Sequence, residues 1–212
     1  MNGEEKYKPF VKVEDPPIEL EDEDKIGLTA EDKLNLVRTR GIYKDEQHSI
    51  DDLTGAKIHA EFDKKLRQEL ERFQSEFSTE SRKQLAVIFI DIDHFKQVND
   101  KWGHHVGNEV LKGVAKVFMD SVGREDIVVR WGGEEFAILL HEADIHTAAK
   151  KAEELRTKVA ELAFPDPKLK VTASFGVIST ATTTDARKLV TEADAALFRA
   201  KNGGRNRVEI VP

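Results

Sequence analysis

Hydrophobic and polar positions from residue 52 onwards follow first a helical and then a strand-like pattern. Residues 85–91, LAVIFID, are a continuous apolar run rich in branched side chains, which predicts a strand buried on both faces. Before and after this run, apolar residues recur every three or four positions, as on one face of a helix. The first predicted helix face consists of Ile58, Phe62, Leu66, Leu70, Phe73 and Phe77. The chain turns helical after the strand, and a further helix follows with Val106, Val110, Val114 and Phe118 in register.

The second half of the chain alternates strands with helices. DIVVR and FAILL flank a Gly-Gly pair and predict an antiparallel hairpin. A helix is predicted over 143–163, a strand over 170–179, a helix over 183–204 and a last strand over 206–211. Helices mixed with strands around one hairpin indicate an α+β fold, with an antiparallel-rich central sheet flanked by helices in a split βαβ, ferredoxin-like arrangement.

Composition limits the classes of function. The 212 residues allow one domain and an appendage, and the net charge of −7 argues against nonspecific binding to nucleic acid. The chain has no cysteine, which excludes disulfides and thiolate zinc sites, and no apolar run approaches the length of a membrane span. The first residues also lack the apolar core of a signal peptide. We therefore expect a cytoplasmic protein.

Acidic residues are concentrated at the start of the chain, which we interpret as a tail over residues 1–50 before a domain over 51–212. Residues 1–50 hold 13 acidic and 8 basic side chains, with paired prolines and little to bury. Thr29 followed by Asp32 predicts a short helix that ends near Gly41. Two interpretations of the tail stay open, a solvated leader and a regulatory segment that binds a protein partner or is modified.

Carboxylates would meet at one edge of the sheet if the strand that carries Glu134 and Glu135 lies beside the buried strand. In RWGGEEF (130–136) the Gly-Gly pair supplies the positive φ angles of a tight turn, and Glu134 and Glu135 follow it. Asp91 ends the buried strand and Asp93 follows on the same side. Hard oxygen ligands without cysteine favour Mg²⁺ or Mn²⁺. The structural alternatives are an ordinary hairpin and two aspartates that cap the next helix.

Five sequence blocks together resemble the GGDEF domain, the catalytic module of diguanylate cyclases. They lie in the family's order from about residue 50 to residue 212 and read DDLTGAKIH, FIDIDHFKQVNDKWGHHVGNEVL, RWGGEEF, VTASFGV and ADAALFRAKNGGRN. The resemblance implies a palm-like fold similar to nucleotide cyclases and polymerases, in agreement with the α+β prediction.

The resemblance also implies a reaction. Two GTP molecules, one on each subunit of a homodimer, would condense to cyclic di-GMP and two pyrophosphates, with two divalent ions per active site. Asp91, the Ile92 carbonyl, Glu134 and Glu135 match the metal-binding positions, and Glu134 matches the general base. Lys96 matches a cation that stabilises phosphate charge in the transition state.

Substrate contacts follow from the same resemblance. The backbone around Phe95 and Lys96 matches a phosphate-binding helix start, and Lys201 and Arg205 match residues that hold the β and γ phosphates. Lys201 has a structural alternative, since a basic side chain is favoured at a helix C-terminus. The positions that contact the nucleoside are Asn99, His104 and Asn108. We expect Trp131 to shape the turn rather than to touch substrate.

Three departures from the family separate this chain from a typical member. Asn108 replaces an aspartate in the guanine pocket, and because an amide both donates and accepts, we expect weaker guanine preference and a mixed purine product as one outcome. Gly123 replaces the arginine of the RxxD product site, of which Asp126 remains, and Arg124 is displaced by one residue. We therefore predict no allosteric product site. DLTGAKIHA keeps Asp52 and the turn but lacks the usual Asn-Arg pair.

Two functions from different classes remain. The first is an active Mg²⁺-dependent diguanylate cyclase, and the second is a catalytically silent module that binds nucleotide or signals. Retention of Asp91, Lys96, Lys201 and the two glutamates of the hairpin favours the enzyme.

Overall fold

The fold is known from a computed structural model that describes residues 49–75 and 84–211. Six strands and four helices make up the described part of the chain. In chain order they are β1 (Lys57–Ile58), α1 (His59–Ser75), β2 (Ala86–Ile92), α2 (Phe95–Ser121), β3 (Ile127–Gly132), β4 (Glu135–Leu140), α3 (Ile145–Ala160), β5 (Ala173–Ser179), α4 (Ala186–Asn202) and β6 (Val208–Ile210).

The strands form one mixed sheet in the order β1-β3-β4-β2-β5-β6. The four central strands pair antiparallel, and the short edge strands β1 and β6 pair parallel with β3 and β5. β2 therefore lies at the centre with a partner on each side, which explains why its sequence is apolar without alternation. The predicted α+β fold with an antiparallel-rich sheet and flanking helices is confirmed.

Helices cover both faces of the sheet. On one face, α2 and α3 pack on alternate residues of β2, such as Ile88 and Ile90, in a core that includes the edge-to-face pair Phe118 and Phe136. On the other face, α1 brings Phe62 against Phe89, and α4 packs closely on β5. Every residue of β2 except Asp91 is thus buried, and the end of β2 that carries Asp91 lies between two packed layers.

Helix α2 is interrupted where the sequence predicted two helices. Gly103 has φ 84° and ψ 160°, values outside the helical region, so the segment bends between its first two turns and its longer second part. The break allows residues on the two parts to face each other. Val110, Val114 and Phe118 lie in the core, as their spacing predicted, and Val106 packs against it partly exposed.

Some predicted elements differ from the structure. Ile58 was expected on the first helix face, but it lies in β1, because residues 57–58 pair with β3 and α1 begins at His59. Phe62, Leu66 and Leu70 are buried on α1 as predicted. The side chains of Phe73 and Phe77, the short helix after Thr29 and the tail over 1–50, apart from its last two residues, lie outside the described residues.

Among residues 49–75 and 84–211, no helix combines the length and the apolar character that a membrane span requires.

Candidate active site

The RWGGEEF hairpin turns at Gly133 and Glu134. Gly132 pairs with Glu135, which leaves two central residues, of which only Gly133 has a positive φ, 51°. This is the pattern of a type II′ turn, which requires glycine at its first central position. The expectation that both glycines supply positive φ was therefore wrong for Gly132. The turn is also tied to the neighbouring strand, since the Ile92 amide donates to the Glu134 carbonyl at 3.3 Å.

Strand register places three carboxylates at one edge of the sheet. β2 and β4 are neighbours with Asp91 opposite Glu135, and Glu134 lies just before Glu135 in the turn. We call Asp91, Glu134 and Glu135 the carboxylate edge. All three side chains are partly buried. The proximity expected from the sequence thus results from backbone hydrogen bonds between adjacent strands, which fix the relative positions of the backbone that carries these side chains.

Like charges at this edge are only partly compensated. Burial raises the pKa of Asp91, nearby Glu134 and Glu135 raise it further, and an ion pair with Lys201 offsets part of the rise. The Lys201 ammonium lies 2.6 Å from the Asp91 carboxylate. A carboxyl whose pKa is raised is destabilised in its charged form, so ionised Asp91 makes the fold less stable. A further cation nearby would stabilise this charge.

The edge supplies the oxygen ligands that a hard divalent cation prefers, but it is not a closed metal cage. Within the described residues, no three His, Cys, Asp or Glu side chains converge closely enough to hold an ion by themselves. Mg²⁺ is commonly bound by one or two carboxylates together with substrate phosphates. The raised pKa of Asp91 and its neighbouring glutamates therefore fit an ion that arrives with a nucleotide. The residues that would hold it are Asp91, the Ile92 carbonyl, Glu134 and Glu135.

Asp93 is neither at this edge nor a helix cap. It is 4% exposed, and its carboxylate accepts hydrogen bonds from the Thr172 hydroxyl at 2.7 Å, the Ser174 hydroxyl at 2.6 Å and the Asn206 amide at 3.0 Å. The N-cap of α2 is His94, which makes no side-chain capping bond. Asp93 thus ties the end of β2 to β5 and to the loop before β6. The alternative that Asp93 caps the next helix was wrong, because three donors from other segments occupy its carboxylate.

A cavity of about 420 Å³ joins the hairpin to helix α2. Its size is within the usual range for small-molecule sites. The hairpin contributes Arg130, Gly133 and Glu134, and α2 contributes Phe95, Lys96, Asn99, Asp100, His104, Asn108 and Leu111. Of the predicted substrate residues, the cavity brings together Phe95, Lys96, Asn99, His104 and Asn108, with Glu134 at its wall. Asp91, Glu135, Lys201 and Arg205 do not line it.

The two parts of α2 give this cavity its polar wall. Asn99 lies before the break at Gly103, and His104 and Asn108 lie after it. We call Asn99, His104 and Asn108 the base pocket. Asn99 is partly buried, whereas His104 and Asn108 are exposed. None of these three side chains is a carboxylate. The base pocket therefore lacks the negative charges of the carboxylate edge.

The residues near the end of α4 are arranged unequally around the site. Lys201, on the last turn of α4, reaches Asp91 on β2. Arg205 is exposed with φ 62°, and its guanidinium lies 3.4 Å from the Lys201 carbonyl. The structural alternative for Lys201, a cation at a helix C-terminus, is compatible with this position, but its ammonium is directed to the carboxylate edge. Lys201 therefore connects α4 with the edge, while Arg205 stays at the surface beside it.

Arg130 is a site residue that the sequence analysis missed. Its Nε and Nη2 donate to the Gly133 carbonyl at 2.9 and 2.7 Å, and its Nη1 lies 3.1 Å from both carboxylate oxygens of Asp51. Asp51 also accepts from the Thr54 amide and hydroxyl, so it, and not Asp52, organises the DLTG turn. The sequence signals that could have indicated this contact were an arginine before the Gly-Gly turn and an aspartate before the LTG segment. Arg130 thereby clamps the hairpin to the turn that precedes β1.

Electrostatics agree with this clamp. Burial tends to raise the pKa of Asp51, but hydrogen bonds from Thr54 and the adjacent Arg130 outweigh it, and the net pKa is lowered. Asp51 and Arg130 side chains are 23% and 17% exposed, so the pair is only partly screened by solvent. The charged form of Asp51 is therefore favoured in the fold, in contrast to Asp91.

Two further sequence interpretations concern residues near the hairpin strands. Trp131 packs against Phe62, Phe89 and His59 on the α1 face of the sheet, which is consistent with a structural role away from the cavity. The two carboxylate oxygens of Asp126 accept from the Gly123 amide at 2.7 Å and the His141 amide at 2.8 Å. Asp126 thus closes the turn before β3, and Arg124 beside it is exposed.

Comparisons with known proteins agree on one family. The sequence pattern described as "Diguanylate cyclase, GGDEF domain" matches residues 48–207. The diguanylate cyclase DosC of Escherichia coli is 40% identical over 129 residues, 59% of this chain and 28% of DosC. Diguanylate cyclase A of Treponema denticola is 36% identical over 168 residues, 78% of this chain and 45% of that protein. The chain thus spans less than half the length of these relatives.

A solved structure shares the fold. The coiled coil and GGDEF domain of DgcB from Caulobacter crescentus, crystallised with c-di-GMP, superimposes with a TM-score of 0.71 at 27% identity. The match covers 86% of this chain and 96% of that one. The likeness therefore extends over the sheet, the helices and the hairpin described above.

Proposed function

This chain belongs to the diguanylate cyclase GGDEF domain family, and on that premise we propose that it condenses two GTP molecules into cyclic di-GMP and two pyrophosphates. The observation that carries the proposal is the single cavity in which Glu134 of the hairpin faces Lys96, Asn99 and Asn108 of α2. The residues proposed as the base, as the cation for the phosphates and as the groups that bind the purine thus line the same cavity.

In the proposed reaction, the 3′-hydroxyl oxygen of one GTP attacks the α-phosphorus of the GTP held by a second subunit. A phosphoester bond forms, the α–β phosphoanhydride bond breaks, and pyrophosphate leaves. Glu134 accepts the hydroxyl proton, which requires an ionised carboxylate within hydrogen-bond reach. The same step with the roles exchanged closes the ring and releases the second pyrophosphate. A homodimer follows from this symmetry, because each subunit presents one substrate.

The reaction also requires that the negative charge on the phosphates is stabilised. Lys96 lies at the start of α2, where free backbone amides and a basic side chain both favour phosphate. Lys201 at the carboxylate edge supplies a further cation near Asp91. Two Mg²⁺ or Mn²⁺ ions held by the carboxylate edge would polarise the phosphoryl oxygens and neutralise developing charge. Arg205 is proposed to contact the outer phosphates from the surface beside Lys201.

The enzyme must be distinguished from a silent nucleotide-binding module of the same fold. Replacing Glu134 with Gln keeps the size and polarity of the side chain but removes the base. We expect turnover to fall by about 10²–10⁴-fold, the usual contribution of a general base, while GTP binding measured by calorimetry in EDTA, where no metal ligand is needed, changes little. Glu192→Gln, an exposed substitution on α4, is the matched control. Wild-type protein that binds GTP without forming product would favour the silent module.

Asn108 supports a second, narrower proposal about specificity. An asparagine offers one acceptor and one donor group, so it pairs with guanine less completely than a carboxylate and can also face the acceptor N1 of adenine. Asn108 is exposed at the cavity wall, so its amide can adopt either orientation. We propose relaxed purine preference, with a mixed guanine–adenine cyclic dinucleotide made alongside cyclic di-GMP when ATP is present.

The acidic residues before the domain are proposed to control the activity of the enzyme. We propose that residues 1–50 bind a protein partner or carry a modification, and that the reaction takes place in the cytoplasm. Deleting residues 1–47 tests the first point, since the remaining residues include the whole matched range, 48–207. Unchanged turnover and unchanged dimerisation of the shortened chain would contradict a regulatory role.

A further inference from the structure

Gly107 lies in the second part of α2 at a position that a side chain would not fit. It is buried, and a Cβ atom added with ideal geometry would overlap the Oδ1 of Asn99. The same Cβ would lie 3.1 Å from Asn99 Cγ and 3.3 Å from Phe95 Cζ, closer than ordinary carbon contacts. Two residues that line the cavity therefore rest on the bare backbone of Gly107.

Glycine is disfavoured inside a helix, which makes this position informative. Alanine is the residue most favoured in a helix interior, because it restricts the unfolded chain and adds no side-chain entropy. Gly113, six residues further along the same helix, has room for a Cβ at 3.9 Å from Leu162 and Phe164. Space is thus restricted at Gly107 and not at Gly113, so the two glycines of one helix have different structural consequences.

We propose that Gly107 is a positioning residue that sets the orientation of the Asn99 amide in the base pocket. The break at Gly103 folds the two parts of α2 towards each other, and the missing side chain at Gly107 lets the Asn99 amide lie directly against the second part. The amide is thereby held at the cavity wall, where it can bind the purine. This proposal rests on the proposed function, because it assigns the base of GTP to the pocket that contains Asn99.

The steric conflict has a low-cost solution, which makes the proposal testable without loss of the fold. Asn99 is only partly buried, and its amide is the end of a flexible side chain. In a Gly107→Ala variant the amide can rotate away while the helix backbone stays in place. We therefore expect a folded protein with a displaced Asn99, and a thermal midpoint close to that of Gly113→Ala.

Nucleotide binding gives the first test. In a Glu134→Gln background in EDTA, where turnover is negligible during the measurement, Gly107→Ala should weaken GTP binding by about tenfold, as expected for the loss of a well-placed hydrogen-bonding group. Binding of inorganic tripolyphosphate should stay within about twofold, since the phosphate-binding residues are untouched. Asn99→Ala should weaken GTP binding to a similar extent, and adding Gly107→Ala to it should have little further effect. Gly113→Ala is the matched control and should bind GTP like its parent.

Two readouts separate positioning from a general structural effect. In the active protein, Gly107→Ala should raise KM for GTP more than it lowers kcat. The side-chain ¹⁵N amide resonance of Asn99 should shift in Gly107→Ala and stay in place in Gly113→Ala. An unmoved resonance together with unchanged GTP binding would overturn the proposal. If the wild-type chain forms no product, the proposed function fails, yet the resonance and the binding of GTP still decide whether Gly107 positions Asn99.

Discussion

The carboxylate edge is held by backbone hydrogen bonds between adjacent strands, whereas the base pocket is held by side-chain packing between two parts of an interrupted helix. At the edge, the pairing of Asp91 with Glu135 leaves little freedom. In the pocket, the orientation of Asn99 depends on the space over Gly107, and Asn108 is exposed. The proposed chemistry is thus built on paired strands, and the proposed recognition of the base is built on side chains of a helix.

The two regions also differ in electrostatic cost. The pKa of Asp91 is raised, by burial above all and then by the neighbouring glutamates, so its charge opposes folding. The Asn99 and Asn108 amides of the base pocket are neutral, so no charge on them opposes folding. We therefore expect substitutions that neutralise the carboxylate edge to stabilise the fold and reduce activity. Substitutions in the base pocket should alter specificity with little effect on stability.

Replacing Asp91 with Asn should have the largest effect on activity. It removes a proposed metal ligand and the ion-pair partner of Lys201. We expect turnover with GTP and Mg²⁺ to fall by at least about a hundredfold, comparable to loss of one strong electrostatic contact in an active site. Steady-state pyrophosphate release measures it. Turnover within threefold of the wild type would remove Asp91 from the proposed mechanism.

The same substitution should stabilise the protein in EDTA. A carboxyl with a raised pKa stabilises the fold below its unfolded value, near 3.8, and this contribution is lost as pH rises through the higher folded value. The advantage of Asp91→Asn over the wild type should therefore be absent at acidic pH and grow towards neutrality. Urea unfolding at several pH values measures it, and an advantage that shrinks with rising pH would contradict the sign.

Replacing Arg130 with Ala tests whether the hairpin needs its clamp. The substitution removes two bonds to the Gly133 carbonyl and leaves Asp51 without its arginine partner. We expect a loss of about 1.5–3 kcal/mol in the free energy of unfolding, typical of hydrogen bonds to charged groups, with reduced turnover. Arg124→Ala, at an exposed position, should change stability by less than about 0.5 kcal/mol. Equal effects of the two variants would show that the clamp does not stabilise the hairpin.

Replacing Asn108 with Asp should act on specificity and leave the fold unchanged. A carboxylate accepts from two guanine donors and repels the acceptor N1 of adenine. We expect discrimination between GTP and ATP to increase by about tenfold, the equivalent of one corrected hydrogen bond. Product masses from equimolar GTP and ATP measure it. Exclusive use of GTP by the wild type would refute relaxed purine preference.

The smallest expected effect is inhibition by product. Both oxygens of Asp126 are engaged by backbone amides, and Gly123 stands where an arginine would be needed. Added cyclic di-GMP should therefore leave the initial rate of the wild type nearly unchanged. Progress curves that stall early, with product bound at Asp126, would show that this prediction is wrong.

Periodicity and motif spacing were sufficient to predict the sheet, the helices and the carboxylate edge. They succeeded because β2 is apolar on both faces and because β4 pairs with β2, which places Glu135 opposite Asp91. They failed where tertiary contacts decide, since Asp93 is held by Thr172, Ser174 and Asn206, residues about 80 or more positions away. The roles of Asp51, Arg130 and Gly107 likewise depend on distances that no local pattern contains.

The most direct measurement of the central claim is the stoichiometry of the reaction in purified protein with GTP and Mg²⁺. The account predicts two pyrophosphates for each cyclic dinucleotide identified by mass, and a rate per subunit that rises with protein concentration until the dimer is saturated. GTP that binds but is not converted at concentrations where the protein is dimeric, or product that forms equally well in Glu134→Gln, would contradict it.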